Sequence, residues 1–165
     1  MNITGQRGGG FLQVLRSAPY PRLRVPVPLF GSQVCAGFPS PADDHIEEII
    51  DLNELLVRNP PATFYIRAVG QSMIRVGIMD GDILVVDRSE SACHGDIVVA
   101  CLDGEFNVKT LRVEGMAEHR RVWLVPENDA FPCVEIESER DFKIWGVVRG
   151  KVALFGRFRR AGTIH

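Results

Sequence analysis

Residues 96–111 read DIVVACLDGEFNVKTL, and this stretch decides the fold class of the chain. Asp96 to Cys101 are rich in apolar and β-branched residues, and so are Glu105 to Val113, which extend just past this stretch; such runs are typical of strands. Between them lies Asp103-Gly104, a dipeptide that readily adopts the positive φ angles of a two-residue hairpin turn. The stretch therefore predicts a β-hairpin with Lys109 on its returning strand.

Short apolar runs separated by turn dipeptides continue on both sides of this hairpin, from Ala62 onward. We expect further strands at Thr63 to Val69, Ile83 to Asp87, Arg121 to Pro126 and Phe142 to Phe155, the last with an interruption near Gly150. Such a series of strands predicts a mainly β fold with one compact core.

Two short helices are predicted ahead of these strands. Ile46, Ile49 and Ile50 lie near one face of a helix that Asp43 or Asp44 can cap. A second helix is expected from Leu52 to Arg58, where Asn59-Pro60-Pro61 ends it.

Residues 1–44 contain three consecutive glycines and six prolines, which argues against a packed domain there. We therefore divide the chain into a flexible N-terminal arm (1–44), a β-rich domain (45–155) and a basic C-terminal tail (156–165).

Charge is distributed unevenly along the chain, although its formal net charge is only -2. Residues 36–148 hold all 21 acidic residues but only 10 of the 19 basic ones. The basic ends could contact DNA or an acidic protein surface, or they could simply be solvated. Composition leaves these alternatives open.

Several classes of protein are disfavoured by what the sequence lacks. It has no apolar run near the ~20 residues that cross a bilayer and no signal-peptide layout, so we expect a cytoplasmic protein without membrane contact. Its four cysteines form no Cys-x-x-Cys pair and its four histidines no paired spacing, so we expect no metal and no cofactor.

A candidate nucleophile, Ser72, follows the strand predicted at Thr63 to Val69. A serine at a strand-to-turn junction can meet a carbonyl group near free backbone N–H groups. The G-x-S-x-G hydrolase pattern fails, however, because Ile74 occupies the position of its last glycine. Taken alone, Ser72 is more often a turn or capping residue.

Lys109 is a candidate general base because it lies in an otherwise apolar strand. A lysine accepts a proton near neutral pH only if burial lowers its pKa. Period-two alternation could equally direct this side chain to solvent.

A candidate substrate lies in the arm, where residues 34–37 read VCAG. The small residues Ala36 and Gly37 could enter a narrow site, although an Ala-Gly dipeptide alone is common.

Together these segments resemble the LexA/UmuD family of serine-lysine autoproteases, and most nearly its UmuD branch. The resemblance runs from about Pro28 to Val152 and rests on residues 36–42 (AGFPSPA), 50–56 (IDLNELL), 70–73 (GQSM), 80–82 (DGD), 94–98 (HGDIV), 103–106 (DGEF) and 108–109 (VK).

The resemblance implies a role for each candidate residue. Ser72 corresponds to the nucleophile, Lys109 to the base and Ala36-Gly37 to the bond that is cut. Val34 and Cys35 fill the substrate strand before that bond, and the backbone N–H groups of Gln71 and Ser72 bind the oxyanion. The chain departs from UmuD proteins at Ala36, where they commonly carry cysteine, and at Gln71, which replaces an acidic or apolar residue.

The resemblance also implies a biological role. A RecA filament on single-stranded DNA would stimulate self-cleavage, and the shortened homodimer would serve as accessory subunit of a Y-family translesion polymerase in the SOS response. A catalytically vestigial dimeric binding module and a LexA-like regulator of transcription remain alternatives. The 35 residues between Ala36 and Ser72 permit cleavage within one chain or between two.

Overall fold

The computed structural model describes residues 24–30, 46–116 and 119–155. The predicted cleavage segment, most of the predicted arm and the predicted basic tail lie outside these residues, so the division into arm, domain and tail stays a prediction. In the described part of the chain, no helix is long and apolar enough to cross a membrane.

The described residues are mainly strands, which confirms the predicted fold class. The strands are β1 (Val27–Phe30), β2 (Ile46–Ile50), β3 (Thr63–Arg67), β4 (Ile83–Asp87), β5 (Ile97–Leu102), β6 (Glu105–Glu114), β7 (Arg121–Val125), β8 (Val134–Glu135) and β9 (Phe142–Val152). The α-helix α1 spans Leu52–Leu56, and a 3₁₀ turn spans Ile74–Val76.

Seven of these strands form one antiparallel sheet in the order β3-β4-β9-β5-β6-β7-β8. The last strand of the chain, β9, lies between β4 and β5 and pairs with both. The remaining two, β1 and β2, form a separate antiparallel pair.

Two apolar clusters form the core, and β5 contributes to both. Val99 packs in the first cluster with Ile66, Leu84 and Val86, whereas Val98 and Ala100 pack in the second with Leu111 and Leu124. Because β5 is covered on both faces, its sequence is a continuous apolar run rather than an alternating one.

The hairpin of β5 and β6 forms as predicted. Leu102 pairs with Glu105, so Asp103 and Gly104 make a two-residue turn. Their φ angles are 50° and 84°, and both are positive, as a two-residue hairpin turn of Asp and Gly requires.

The helix predicted to begin at Asp43 or Asp44 is wrong, because residues 46–50 form β2. The spacing of Ile46, Ile49 and Ile50 fits one helical face, but these residues pair with β1, a strand inside the predicted arm. Pairing with a distant segment overrides the local pattern here. The second predicted helix is present as α1, which ends at Leu56 rather than Arg58.

The ends of α1 are fixed by two contacts. The Asp51 side chain caps its first turn by accepting a hydrogen bond from the Asn53 N–H at 2.8 Å. At the other end Leu56 lies against β9, where a Cβ atom added to Gly150 would come within 2.9 Å of Leu56 Cδ2.

Candidate active site

The candidate nucleophile lies on the loop between β3 and the 3₁₀ turn, residues 68–73, which we call the serine loop. Gly70 bends this loop with a φ of +90°, a conformation that side chains disfavour, and its N–H donates to Asp80 Oδ1 at 2.7 Å. Next to Ser72, Met73 is buried in the first core cluster. Ser72 is therefore held between Gly70, which is hydrogen-bonded to Asp80, and the buried side chain of Met73.

Lys109 lies on β6 opposite Val98 of β5. Its Nζ atom donates to Ser72 Oγ at 3.0 Å and to the Val108 carbonyl oxygen at 3.0 Å. The structure thus brings together two predicted site residues that are 37 positions apart in the sequence.

The environment of Lys109 favours the neutral amine. Its side chain is half-buried, and this burial lowers the pKa of Lys109 below that of an ordinary lysine. No carboxylate among the described residues forms an ion pair with it. A neutral amine 3.0 Å from a hydroxyl oxygen can accept the hydroxyl proton.

A cleft of about 380 Å³ lies between the serine loop and β6. Phe106 and Val108 of β6 line it, together with Phe131 and Val134 and the two candidate side chains. The half of β6 from Glu105 to Lys109 pairs with β5 only, because pairing with β7 begins at Thr110. An extended peptide could add to this half of the strand.

The serine loop also presents backbone donors. In the described part of the chain, the N–H groups of Gln71 and Ser72, which were predicted to bind an oxyanion, donate to no protein acceptor. Unpaired N–H groups beside a nucleophile can stabilise negative charge that develops on a carbonyl oxygen.

Two residues that the sequence analysis did not identify, Glu127 and Asn128, follow β7 and contact the serine loop. The Glu127 N–H donates to the Ser72 carbonyl oxygen at 2.7 Å, and Asn128 Nδ2 donates to the Gln71 carbonyl oxygen at 2.8 Å. An Asn-Asp pair after Pro126 indicates a turn and nothing more specific.

The predicted cleavage segment, Val34, Cys35, Ala36 and Gly37, lies outside the described residues. Cys93, Cys101 and Cys133 are free thiols. Within residues 24–30, 46–116 and 119–155, no group of three or more His, Cys, Asp or Glu side chains is placed to hold a metal ion.

The chain is similar to several known proteins. Residues 28–149 match the family described as Peptidase S24-like. Protein SamA of Salmonella typhimurium is 46% identical over 121 residues, which cover 73% of this chain and 81% of SamA. Protein MucA of Escherichia coli is 44% identical over 123 residues, covering 74% of this chain and 81% of MucA.

A LexA repressor, from Ectopseudomonas mendocina, is 39% identical over 127 residues, which cover 76% of this chain and 59% of the repressor. The family match covers well over half of the chain, and it confirms the predicted relationship to LexA and UmuD proteins. The chain therefore belongs to the Peptidase S24-like family, the LexA/UmuD family of peptidases, close to UmuD.

Proposed function

We propose that this protein is a serine-lysine autoprotease that cuts its own Ala36-Gly37 bond. The observation that supports this most directly is the 3.0 Å contact between Lys109 Nζ and Ser72 Oγ. Family membership supports a peptidase, and the half-buried position of Lys109 supports its use as a base.

The first half of the reaction forms an acyl-enzyme. Neutral Lys109 takes the proton of the Ser72 hydroxyl while Oγ attacks the carbonyl carbon of Ala36. The N–H groups of Gln71 and Ser72 stabilise the oxyanion that results. When the intermediate collapses, the bond to Gly37 breaks and protonated Lys109 returns the proton to the leaving amine.

The second half releases the enzyme. Lys109, neutral again, removes a proton from water, and the hydroxide attacks the ester carbonyl between Ser72 and Ala36. Collapse frees Ser72 Oγ, which regains a proton from Lys109. The products are an arm that ends at Ala36 and a body that begins at Gly37.

The cleft accounts for the residues around the bond that is cut. The half of β6 that pairs with β5 only would accept an extended segment on its other side, and Val34 and Cys35 would lie along it. Ala36 has a small side chain, as the cysteine of UmuD proteins does, so this departure leaves the cut possible. Gly37 lets the backbone approach the serine loop closely.

The experiment is incubation of the full chain over a range of alkaline pH, followed by intact mass spectrometry. Because Lys109 must be neutral, we expect the cleavage rate to rise with pH until the amine is deprotonated. Ser72→Ala and Lys109→Ala should abolish the two fragments that separate at Ala36-Gly37. Lys143→Ala, which removes an exposed lysine of β9, should cut at the wild-type rate. Cleavage that survives both site substitutions would refute the mechanism.

We further propose that the cut form acts in the SOS response as the homodimeric accessory subunit of a Y-family translesion polymerase. The support is the resemblance to UmuD and the similarity to SamA and MucA. A RecA filament on single-stranded DNA would stimulate the cut in the cytoplasm. The cut removes residues 1–36 of the predicted arm, which contain four arginines and no acidic residue.

Binding of a Y-family catalytic subunit to the intact and the cut chain tests this role. The cut form should bind more tightly, and a cut form that binds no better would refute the switch. If the wild-type chain stays intact even with RecA filament and nucleotide, a binding module without catalysis is the better description.

A further inference from the structure

Two residues after β7, Glu127 and Asn128, hold the serine loop, and we call this pair the clamp. The Glu127 N–H donates to the Ser72 carbonyl oxygen, and the Glu127 carbonyl oxygen accepts from the Arg75 N–H at 3.0 Å. Asn128 Nδ2 donates to the Gln71 carbonyl oxygen. The clamp thus holds the carbonyl groups of both peptides that flank Ser72.

The contact of Asn128 fixes the direction of one particular N–H group. The Gln71 carbonyl and the Ser72 N–H belong to the same planar trans peptide and point in opposite directions. A donor that holds the carbonyl oxygen, as Asn128 does at 2.8 Å, therefore also orients the Ser72 N–H. That N–H is one of the two predicted oxyanion donors.

The amide group of Asn128 is itself held in one orientation. Its Oδ1 atom accepts from the Ala130 N–H at 3.1 Å, while Nδ2 donates to Gln71. Reversing the amide would break both hydrogen bonds. A carboxylate of the same shape could keep the Ala130 contact, but it would place an oxygen against the Gln71 carbonyl oxygen.

The clamp is also anchored to the strand that carries Lys109. Thr110 Oγ1, on the residue next to Lys109, donates to Glu127 Oε1 at 2.7 Å. The serine loop and β6 are therefore connected through the clamp as well as through the contact between Ser72 and Lys109. Because β6 is a paired strand, its contact with the clamp positions the Asn128 donor more accurately than a loop alone would.

We propose that Asn128 is a positioning residue, which orients the Gln71-Ser72 peptide so that the Ser72 N–H binds the oxyanion. This inference rests on the proposed self-cleavage. It assigns to Asn128 no contact with the substrate, so its effect should appear in the rate of bond breaking and not in the protonation of Lys109.

The test compares Asn128→Ala and Asn128→Asp with the wild-type full chain, below the thermal transition of each. The control is Asn59→Asp, in which the same change removes a donor to Ser89 Oγ, a contact that involves neither the clamp nor the serine loop. Two quantities are measured, namely the self-cleavage rate as a function of pH and the rate at which a fluorophosphonate labels Ser72.

We expect Asn128→Ala to lower the maximum cleavage rate and the labelling rate by about 100-fold, since losing one oxyanion donor costs 10²–10³-fold. The pH at which its cleavage is half-maximal should match the wild type, because Lys109 is untouched. Asn128→Asp should lose at least as much activity, and Asn59→Asp should retain the wild-type rates.

Other outcomes would overturn the inference. The first is wild-type cleavage and labelling rates in both Asn128 variants. The second is a shifted pH midpoint of cleavage in Asn128→Ala with an unchanged maximum rate. The third is loss of the near-ultraviolet circular dichroism signal in parallel with the cleavage rate, which would indicate a general loss of structure. If the wild-type chain neither cuts itself nor becomes labelled at Ser72, the proposed function fails first.

Discussion

The seven-stranded sheet and the pair β1–β2 bury their apolar residues to very different extents. Leu84, Val85 and Val86 in β4 are 0% exposed. In contrast, Ile49 in β2 is 66% exposed and Leu55 in the neighbouring α1 is 60% exposed. Burial thus stabilises the large sheet, whereas backbone pairing and a few surface contacts hold the small one.

Two polar contacts join the residues just before the small sheet to α1 and its N-terminal cap. The Val25 N–H donates to Asp51 Oδ2 at 2.9 Å, and Arg24 forms an ion pair with Glu54 at 2.7 Å. The contact of Leu56 with Gly150 joins α1 to the large sheet. This difference makes matched substitutions in the two regions informative.

The largest effect on the free energy of unfolding is expected from replacing a buried leucine by alanine, and the same replacement in the other region provides the comparison. Leu84→Ala removes a fully buried side chain and should lower the free energy of unfolding by about 2–5 kcal/mol. Leu55→Ala, at an exposed position of α1, should change it by less than about 0.5 kcal/mol. Urea denaturation measures both, and equal effects would show that the two regions are packed alike.

A smaller loss of unfolding free energy is expected from Lys151→Ala in the large sheet. Lys151 Nζ donates to Asp82 Oδ2 at 2.7 Å and also to the Gly77 carbonyl oxygen. Burial raises the pKa of Asp82, but hydrogen bonds from Lys151 and the Met79 N–H outweigh it, so the pKa lies below its ordinary value.

Without Lys151 the buried Asp82 carboxylate loses its ion pair, and the free energy of unfolding should fall by about 1–2 kcal/mol. Because the pKa of Asp82 is lowered by folding, this loss should diminish as the pH falls through that lowered pKa. The control is Lys143→Ala, at an exposed position of the same strand, and a loss of similar size there would contradict the assignment to Asp82.

The pH dependence of stability should reveal the burial of Lys109. Folding lowers its pKa, so between the lowered and the ordinary lysine pKa the unfolded chain binds more protons than the folded one. Folding of the wild type should therefore gain stability relative to Lys109→Met as the pH rises through this window. Denaturant midpoints at several alkaline pH values measure the difference, and a constant difference would mean that Lys109 is solvated.

The smallest effect is expected from Glu54→Ala, which removes the ion pair with Arg24. Both side chains are more than half exposed, and such surface pairs contribute about 0–1 kcal/mol. The change in the urea midpoint should shrink further at high salt. A loss as large as that of Lys151→Ala would mean that the small sheet depends on this pair.

The large sheet was the more predictable region because its strands are apolar runs bounded by turn residues. Ile83–Asp87 forms one strand over the predicted range, and Asp103-Gly104 makes the predicted turn. In β2 the sequence IEEII suits a helix or a strand, and only pairing with β1 decides between them. The two-residue strand β8 is too short to leave a periodic signal.

The site was predictable only in part. Ser72 and Lys109 came from resemblance, because a serine after a turn glycine and a lysine in a strand are each common. The contact between Asn128 and Gln71 spans 57 positions and depends on how β7 ends beside the serine loop. No local pattern of residues encodes such a contact, so it required the folded chain.

The position of β9 has a consequence for the order in which the sheet forms while the protein is being made. The strands next to Ser72, β3 and β4, are joined to β5 and β6 through β9, which is the last of the described strands to leave the ribosome. A nascent chain that stops before Phe142 lacks the strand between the two halves of the sheet. Synthesis therefore delays completion of the sheet, which joins the strands near Ser72 to the strand of Lys109, until residues 142–152 have emerged.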